Sequence, residues 1–289
     1  MTDSRAMAGS APIQKQAAWF GRAVAHNLAP ILSVLLLVCL LASWWAAAQY
    51  LSIPRYILPP PAEVITALVQ GLSRSPFDPG GYWYHLGITA TEAFLGFVVG
   101  CSLGVFLGFL ISHFVILERI FYPYIVAFKS LPKIAIAPLL VVWFGFGIEP
   151  KVFITAVITF FPVLVNTMAG YRSVDPDRID LARSVKANAW QILFKIRLPS
   201  ALPFIFAGLN IAVVLAFLGA IVGEFVGAQA GIGLLILLYN QELNIPAAYA
   251  LLIILAAVGV SVSLGMRYLE HKFCFWAQRE RQDLATEEA

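Results

Sequence analysis

Five long stretches of this chain contain no Asp, Glu, Lys or Arg: residues 23–54, 93–117, 152–171, 198–223 and 243–266. Each is at least 20 residues long, the length of mostly apolar helix that crosses a bilayer core. A sixth, 134–148, is shorter but follows the apolar run 120–128. Composition agrees, with 60% hydrophobic and 12% charged residues against about a half and a quarter in soluble domains. The chain is therefore read as all-α, a polytopic helical membrane protein, and a soluble enzyme is excluded.

Six spans are expected, at 29–50, 88–112, 120–146, 150–170, 203–226 and 247–268. Ala46-Ala47-Ala48 imitates a signal cleavage site, but the apolar stretch before it is longer than a signal core, so a retained span is expected. Basic residues set the orientation. With both termini inside, the cytoplasmic segments hold Arg5, Lys15, Arg22, Arg119, Arg172, Arg178, Arg183, Lys186, Lys195, Arg197, Arg267, Lys272, Arg279 and Arg281. The outside holds only Arg55, Arg74 and Lys151. This divides the chain into a cytoplasmic segment 1–28, a transmembrane region 29–270 and a cytoplasmic tail 271–289. In the outer loop, Pro59-Pro60-Pro61 leads into an amphipathic stretch that Gly71 is expected to end, predicting a short surface helix.

Gly96, Gly100, Gly104 and Gly108 recur every fourth residue, extended by Ser112. Gly208, Ala212, Ala216 and Ala220 repeat the pattern. Such faces let two helix backbones approach closely in lipid, though sequence does not name the partner. Dispersed basic residues give no support for nucleic-acid binding. Cys39, Cys101 and Cys274 and the four histidines are scattered, so no metal site is expected.

Ionisable residues at membrane depth normally face a protein interior or a wet cavity. Glu92 and Glu224 lie near predicted span ends. Lys129 and Lys133 flank Leu131-Pro132, and Pro132 and Pro138 each remove a backbone hydrogen bond. The third span is thus expected to be a broken helix and a pathway element, with the lysines attracting an anion. Lys129, Pro132, Lys133, Pro138 and Glu224 are the translocation-path candidates. Pairing of Glu224 with a lysine is possible.

Between the fourth and fifth spans, Asp175 and Pro176 open a helix. Ile179, Ala182, Val185, Ala189, Ile192 and Ile196 then share one helical face. Asp180-Leu181-Ala182, Lys186 and Ile196-Arg197-Leu198-Pro199 resemble the coupling segment of binding-protein-dependent ABC importer permeases. That family's pattern is Glu-Ala-Ala, a Gly four residues on, then Ile/Val-x-Leu-Pro. Lys186 stands where the glycine would permit a turn, which favours a continuous helix over 176–198 or a differently bent one. The stretches 131–139 with 143–147, 160–170, 58–64 and 223–233 are similar, in the same order, to the nitrate/sulfonate/taurine branch.

The resemblance implies a type I ABC importer permease in a bacterial inner membrane, transporting a small organic or inorganic anion and not acting as an enzyme. It implies a second permease copy forming a homodimer, an extracytoplasmic solute-binding protein and a cytosolic ABC ATPase dimer, in addition to membrane lipid. ATP and Mg belong on that ATPase, because this chain has no G-x-x-x-x-G-K-[ST] and binds no cofactor of its own. Asp180, Leu181, Ala182, Lys186, Ala187, Trp190, Leu198 and Pro199, within the 171–200 loop, are the implied ATPase-coupling residues. A stand-alone secondary transporter or channel is the alternative. It would bring inverted repeats, of which none is convincing here. A membrane-embedded enzyme would need a catalytic constellation on facing spans.

Overall fold

The computed structural model describes residues 11–51 and 53–276. Arg5, Arg279 and Arg281 lie outside the described residues, as do the side chains of Lys15 and Arg22 and the outermost parts of both terminal segments. Among the described residues every regular element is helical. Two units meet between Val64 and Ile65, within α2.

The first unit holds α1 (Ala11–Tyr50), whose Ile31–Tyr50 portion is long and apolar enough to cross a membrane. In the segment that follows, Pro59 O accepts a hydrogen bond from the Trp44 indole at 3.1 Å, and Arg55 pairs with Glu63 at 2.9 Å.

The second unit begins inside α2 (Pro61–Leu72), the helix announced by the proline run. Gly71 does not end it. The Tyr82 ring occupies the space where a side chain at 71 would begin. Four apolar helices follow that are long enough to span: α3 (Tyr82–His113), α6 (Glu149–Arg172), the continuous stretch Ala189–Gly227 containing α9 (Leu198–Gly227), and α11 (Ile245–Phe273). The expected broken span is the pair α4 (Val115–Ser130) and Lys133–Phe144, bent by 82°. Its second limb is a 3-10 turn, Lys133–Ile136, leading into α5 (Ala137–Phe144). Two short helices, α7 (Pro176–Ser184) and α8 (Ala189–Ile192), join α6 to α9, and α10 (Ile232–Gln241) joins α9 to α11.

The small-residue face of α3 finds its partner in α6, while that of α9 packs on α6 and, through Ala216 and Ala220 beside Ala93, on α3. Gly96 faces Thr155, Gly100 faces Ala156 and Thr159, Gly104 faces Phe160 and Val163, and Gly108 faces Thr167. On α9, Gly208 lies against Val163 and Asn166, Gly219 lies against Thr155, and Ala212, Ala216 and Ala220 are buried. Lipid offers little hydrophobic drive between helices, so this close backbone contact is what holds the three together.

Candidate functional site

Two groups of charged side chains lie within the spans, and a third polar segment lies at one end of the bundle. The first group sits beside the α9–α10 connection. Continuing the glycine face of α3 toward its N-terminus brings His85, Thr89 and Glu92 into the same row, one or two turns apart. Glu92 is 2% exposed and pairs with Lys151 of α6 at 2.6 Å. Glu224 of α9 is 1% exposed and lies against Glu92. Its carboxylate accepts from the Thr89 hydroxyl at 2.6 Å and from Gly233 N–H at 2.5 Å. Thr89 Oγ1 in turn accepts from Ile232 N–H at 2.9 Å, and His85 Nδ1 accepts from Gly231 N–H at 2.9 Å. The first amides of α10, orphaned by helix geometry, are thus received by side chains of α3 and α9. Gly231 has φ +133°, and a side chain there would meet the Glu224 carboxylate.

Of the pairings left open by the sequence, Glu224 with Lys129 or Lys133 is not seen; the buried ion pair is Glu92–Lys151. Glu224 is buried, and both its oxygens accept hydrogen bonds in the interior. Lys151, counted from sequence as an outer-loop residue, is buried at the start of α6. The signal for this cluster was present in the sequence, as polar residues in register with the small face of α3.

The second group lies at the break. Leu131 is extended, and Pro132, with ψ 83°, is non-helical, between α4 and the 3-10 turn. Pro138 falls in the first turn of α5, where a missing N–H costs nothing, so it does not break the helix itself. Lys129, Lys133 and Ile134 line a half-open cavity of about 440 Å³ with Phe161 and Asn166 of α6 and Ile211, Leu215 and Leu218 of α9. The Lys133 ammonium donates to Lys129 O at 3.0 Å and lies 4.9 Å from the Phe161 ring centre. Among the described residues, no carboxylate pairs with either lysine. Pro132 and Pro138 shape this element but are not among the lining residues.

The third segment connects α6 to α9. Asp175 caps α7, its side chain accepting from Asp177 N–H at 3.0 Å. Of the two shapes expected around Lys186, a continuous helix over 176–198 and a bent one, the structure has the bent one: α7 stops at Ser184. Lys186 takes φ 57°, the left-handed conformation that glycine adopts most easily. Lys186 N–H donates to Arg183 O at 2.9 Å and Ala187 N–H to Ala182 O at 3.0 Å, the paired bonds of a Schellman helix end. A reciprocal capping box between Asn188 and Gln191 then starts α8. A π turn, Leu193–Arg197, leads into α9 with Pro199 in its first turn. The break turns Leu181, Val185, Trp190 and Phe194 outward, all more than half exposed, with the Trp190 and Phe194 rings stacked. Asp180 pairs with Arg183 at 3.3 Å on the surface, and Ala182 and Ala187 are half-buried. Leu198 and Pro199 are half-buried at the re-entry into the bundle.

This segment is tied down at both of its roots. Arg172, at the end of α6, pairs with Glu118 of α4. Arg197 lies 4.1 Å over the Tyr171 ring, and the Tyr171 hydroxyl is hydrogen-bonded to His113 Nδ1 at 3.0 Å.

Residues 100–273 match the family described as "Binding-protein-dependent transport system inner membrane component". That match covers more than half of the chain. The chain belongs to this family. A riboflavin transport system permease protein, RibX, of Chloroflexus aurantiacus is 35% identical over 83% of this chain and 88% of its own length. The taurine transport system permease protein TauC of Escherichia coli is 29% identical over 85% and 89%. The inward-facing MetNI methionine ABC transporter contains a chain that shares the fold, with TM-score 0.55 and 21% identity over 72% of this chain and 97% of that one. As a binding-protein-dependent permease, the protein is a multi-pass transport subunit and not an enzyme. Matched residues 100–273 include the broken span, the α6–α9 core and the two-helix segment, while His85, Thr89 and Glu92 lie before them.

Proposed function

We infer that the protein is the permease half of an ATP-driven importer, passing a small anion delivered by an extracytoplasmic binding protein. Both termini are cytoplasmic in this reading, and the α7–α8 segment engages a separate cytosolic ATPase dimer. The observation that carries the ATPase contact is the row Leu181, Val185, Trp190 and Phe194. These exposed apolar side chains stand on a charged two-helix segment strung between two core helices, and large apolar side chains left uncovered on a polar segment mark a protein interface. Leu181→Glu, at a site 69% exposed, should abolish co-purification with the ATPase while leaving the permease folded. Unchanged co-purification and uptake would overturn the contact.

One copy has few spans with which to enclose a path, so two copies of this chain are placed around a central one. Lys129 and Lys133 supply positive charge at the cavity beside the break, which favours an anion in a low-dielectric setting. The names of the relatives span riboflavin and taurine. The anion reading therefore rests on the unpaired lysines and not on any relative. Uptake of a radiolabelled sulfonate by cells carrying Lys129→Ala and Lys133→Ala tests it, with an unchanged rate counting against it.

A further inference from the structure

The segment proposed to meet the ATPase is flanked directly by α6 and α9. These two helices carry Lys151 and Glu224 at their opposite ends. Lys151 stands in the first turn of α6, and the coupling segment follows Arg172 at the last. The 24 residues of α6, with Pro162 inside the helix, span roughly 36 Å at 1.5 Å per residue. Glu224 stands in the last turn of α9, and the π turn after α8 feeds its first. Far from the coupling segment, the two rods are joined through α3: Lys151 to Glu92, Glu92 against Glu224, and Glu224 to Thr89. The same carboxylate and hydroxyl receive the first amides of α10.

We propose that Glu92, Lys151, Glu224 and Thr89 are positioning residues that make α10 move with the coupling segment. A displacement of α7–α8 then shifts α6 and α9 as rods, and the cross-link delivers it to the far face of the protein. The buried geometry favours a relay over passive packing. Lys151 bonds to Glu92 and Glu224 to Thr89, so both rods are bonded to α3, and the α10 N-terminus has its cap supplied by α3 and α9 instead of by its own residues. Gly231, where a side chain would strike Glu224, permits that close approach. This relay rests on the ATPase contact proposed above.

The experiment uses the full chain assembled with its ATPase in lipid nanodiscs, either nucleotide-free or trapped with ADP, Mg2+ and orthovanadate. Amide exchange is followed across 234–241, the part of α10 beyond the capped amides. In the wild type, exchange there should differ between the two states by at least about fivefold, the lower end of ordinary allosteric coupling. Thr89→Val keeps the side-chain volume but removes the hydroxyl, and it should erase that difference while the complex still forms and traps vanadate. Thr89→Ser restores the hydroxyl and should restore the difference, which a purely steric role would not do. If Thr89→Val fails to assemble, Glu224→Gln, which can still accept from Thr89, should reduce the difference. A wild-type complex that traps vanadate while α10 exchange stays constant overturns the relay and leaves the permease reading standing. Equal responses in Thr89→Val and the wild type also overturn it. A wild-type chain that never assembles with the ATPase removes the ATPase contact and the relay together.

Discussion

Two sets of ionisable side chains sit within the spans of this permease, and they are compensated in opposite ways. Around Glu92 and Glu224 the side chains are enclosed and mostly bonded: Lys151 holds Glu92 through one oxygen, the other having no hydrogen-bond partner, while Thr89 and the Gly233 amide hold Glu224. Around Lys129 and Lys133, the charges border an open cavity and no carboxylate answers them among the described residues. Burying a charge is costly unless it is paired and hydrogen-bonded. A closed set therefore serves the fold, and an open set stays ready for something that arrives. The first set belongs to α3, α6 and α9 themselves, whereas Lys129 and Lys133 stand on the broken span and face α6 and α9 across the cavity.

That contrast is broken most directly at Lys151. Lys151→Met leaves Glu92 buried without its partner and should cost on the order of 3–5 kcal/mol, seen as a large drop in thermal stability of the purified protein. An unshifted melting temperature would mean that the closed cluster does not hold the fold. Glu224→Gln keeps the shape but disturbs the bond to Gly233, and should cost about 1–3 kcal/mol in the same assay. Because Glu92 touches both partners, the double substitution should fall short of the sum of the single ones. At the open set the expected sign is reversed. Lys129→Ala with Lys133→Ala should leave the melting temperature nearly unchanged while uptake of an anionic solute falls about tenfold, as roughly 1.4 kcal/mol of lost attraction would give. A large stability loss there would erase the distinction between the two sets. Lys186→Gly sets the floor for removing a charge in water. It should stabilise the segment by about 1 kcal/mol through relief of the left-handed backbone, read as greater protease resistance of 176–197.

Much of this was legible from spacing. The charge-free runs marked the spans, because an apolar run of bilayer length has few other uses. The proline run marked α2, and Asp175-Pro176 marked the start of α7, because capping is local chemistry. Leu131-Pro132 marked the break for the same reason. The coupling segment was legible as a pattern but not as a shape. Lys186 reads as a helix former, yet the Schellman bonds and the Asn188–Gln191 capping box outweigh its preference and impose the turn. The partners of Glu224 were not legible, because a carboxylate near a span end looks alike in sequence whether it faces a path or an interior.

The sequence by itself determined that this chain is a helical membrane protein, where its spans fall and which faces pack closely, since these follow from the period of the helix and the thickness of the bilayer. The tertiary structure alone decided the partners: Lys151 for Glu92, Thr89 and Gly233 for Glu224, and the cavity for Lys129 and Lys133. The Lys151–Glu92 and Thr89–Glu224 pairings join residues 59 and 135 positions apart in the chain, and no local rule connects them. Only the packing of α3 and α9 on α6 brings them within the reach of a hydrogen bond.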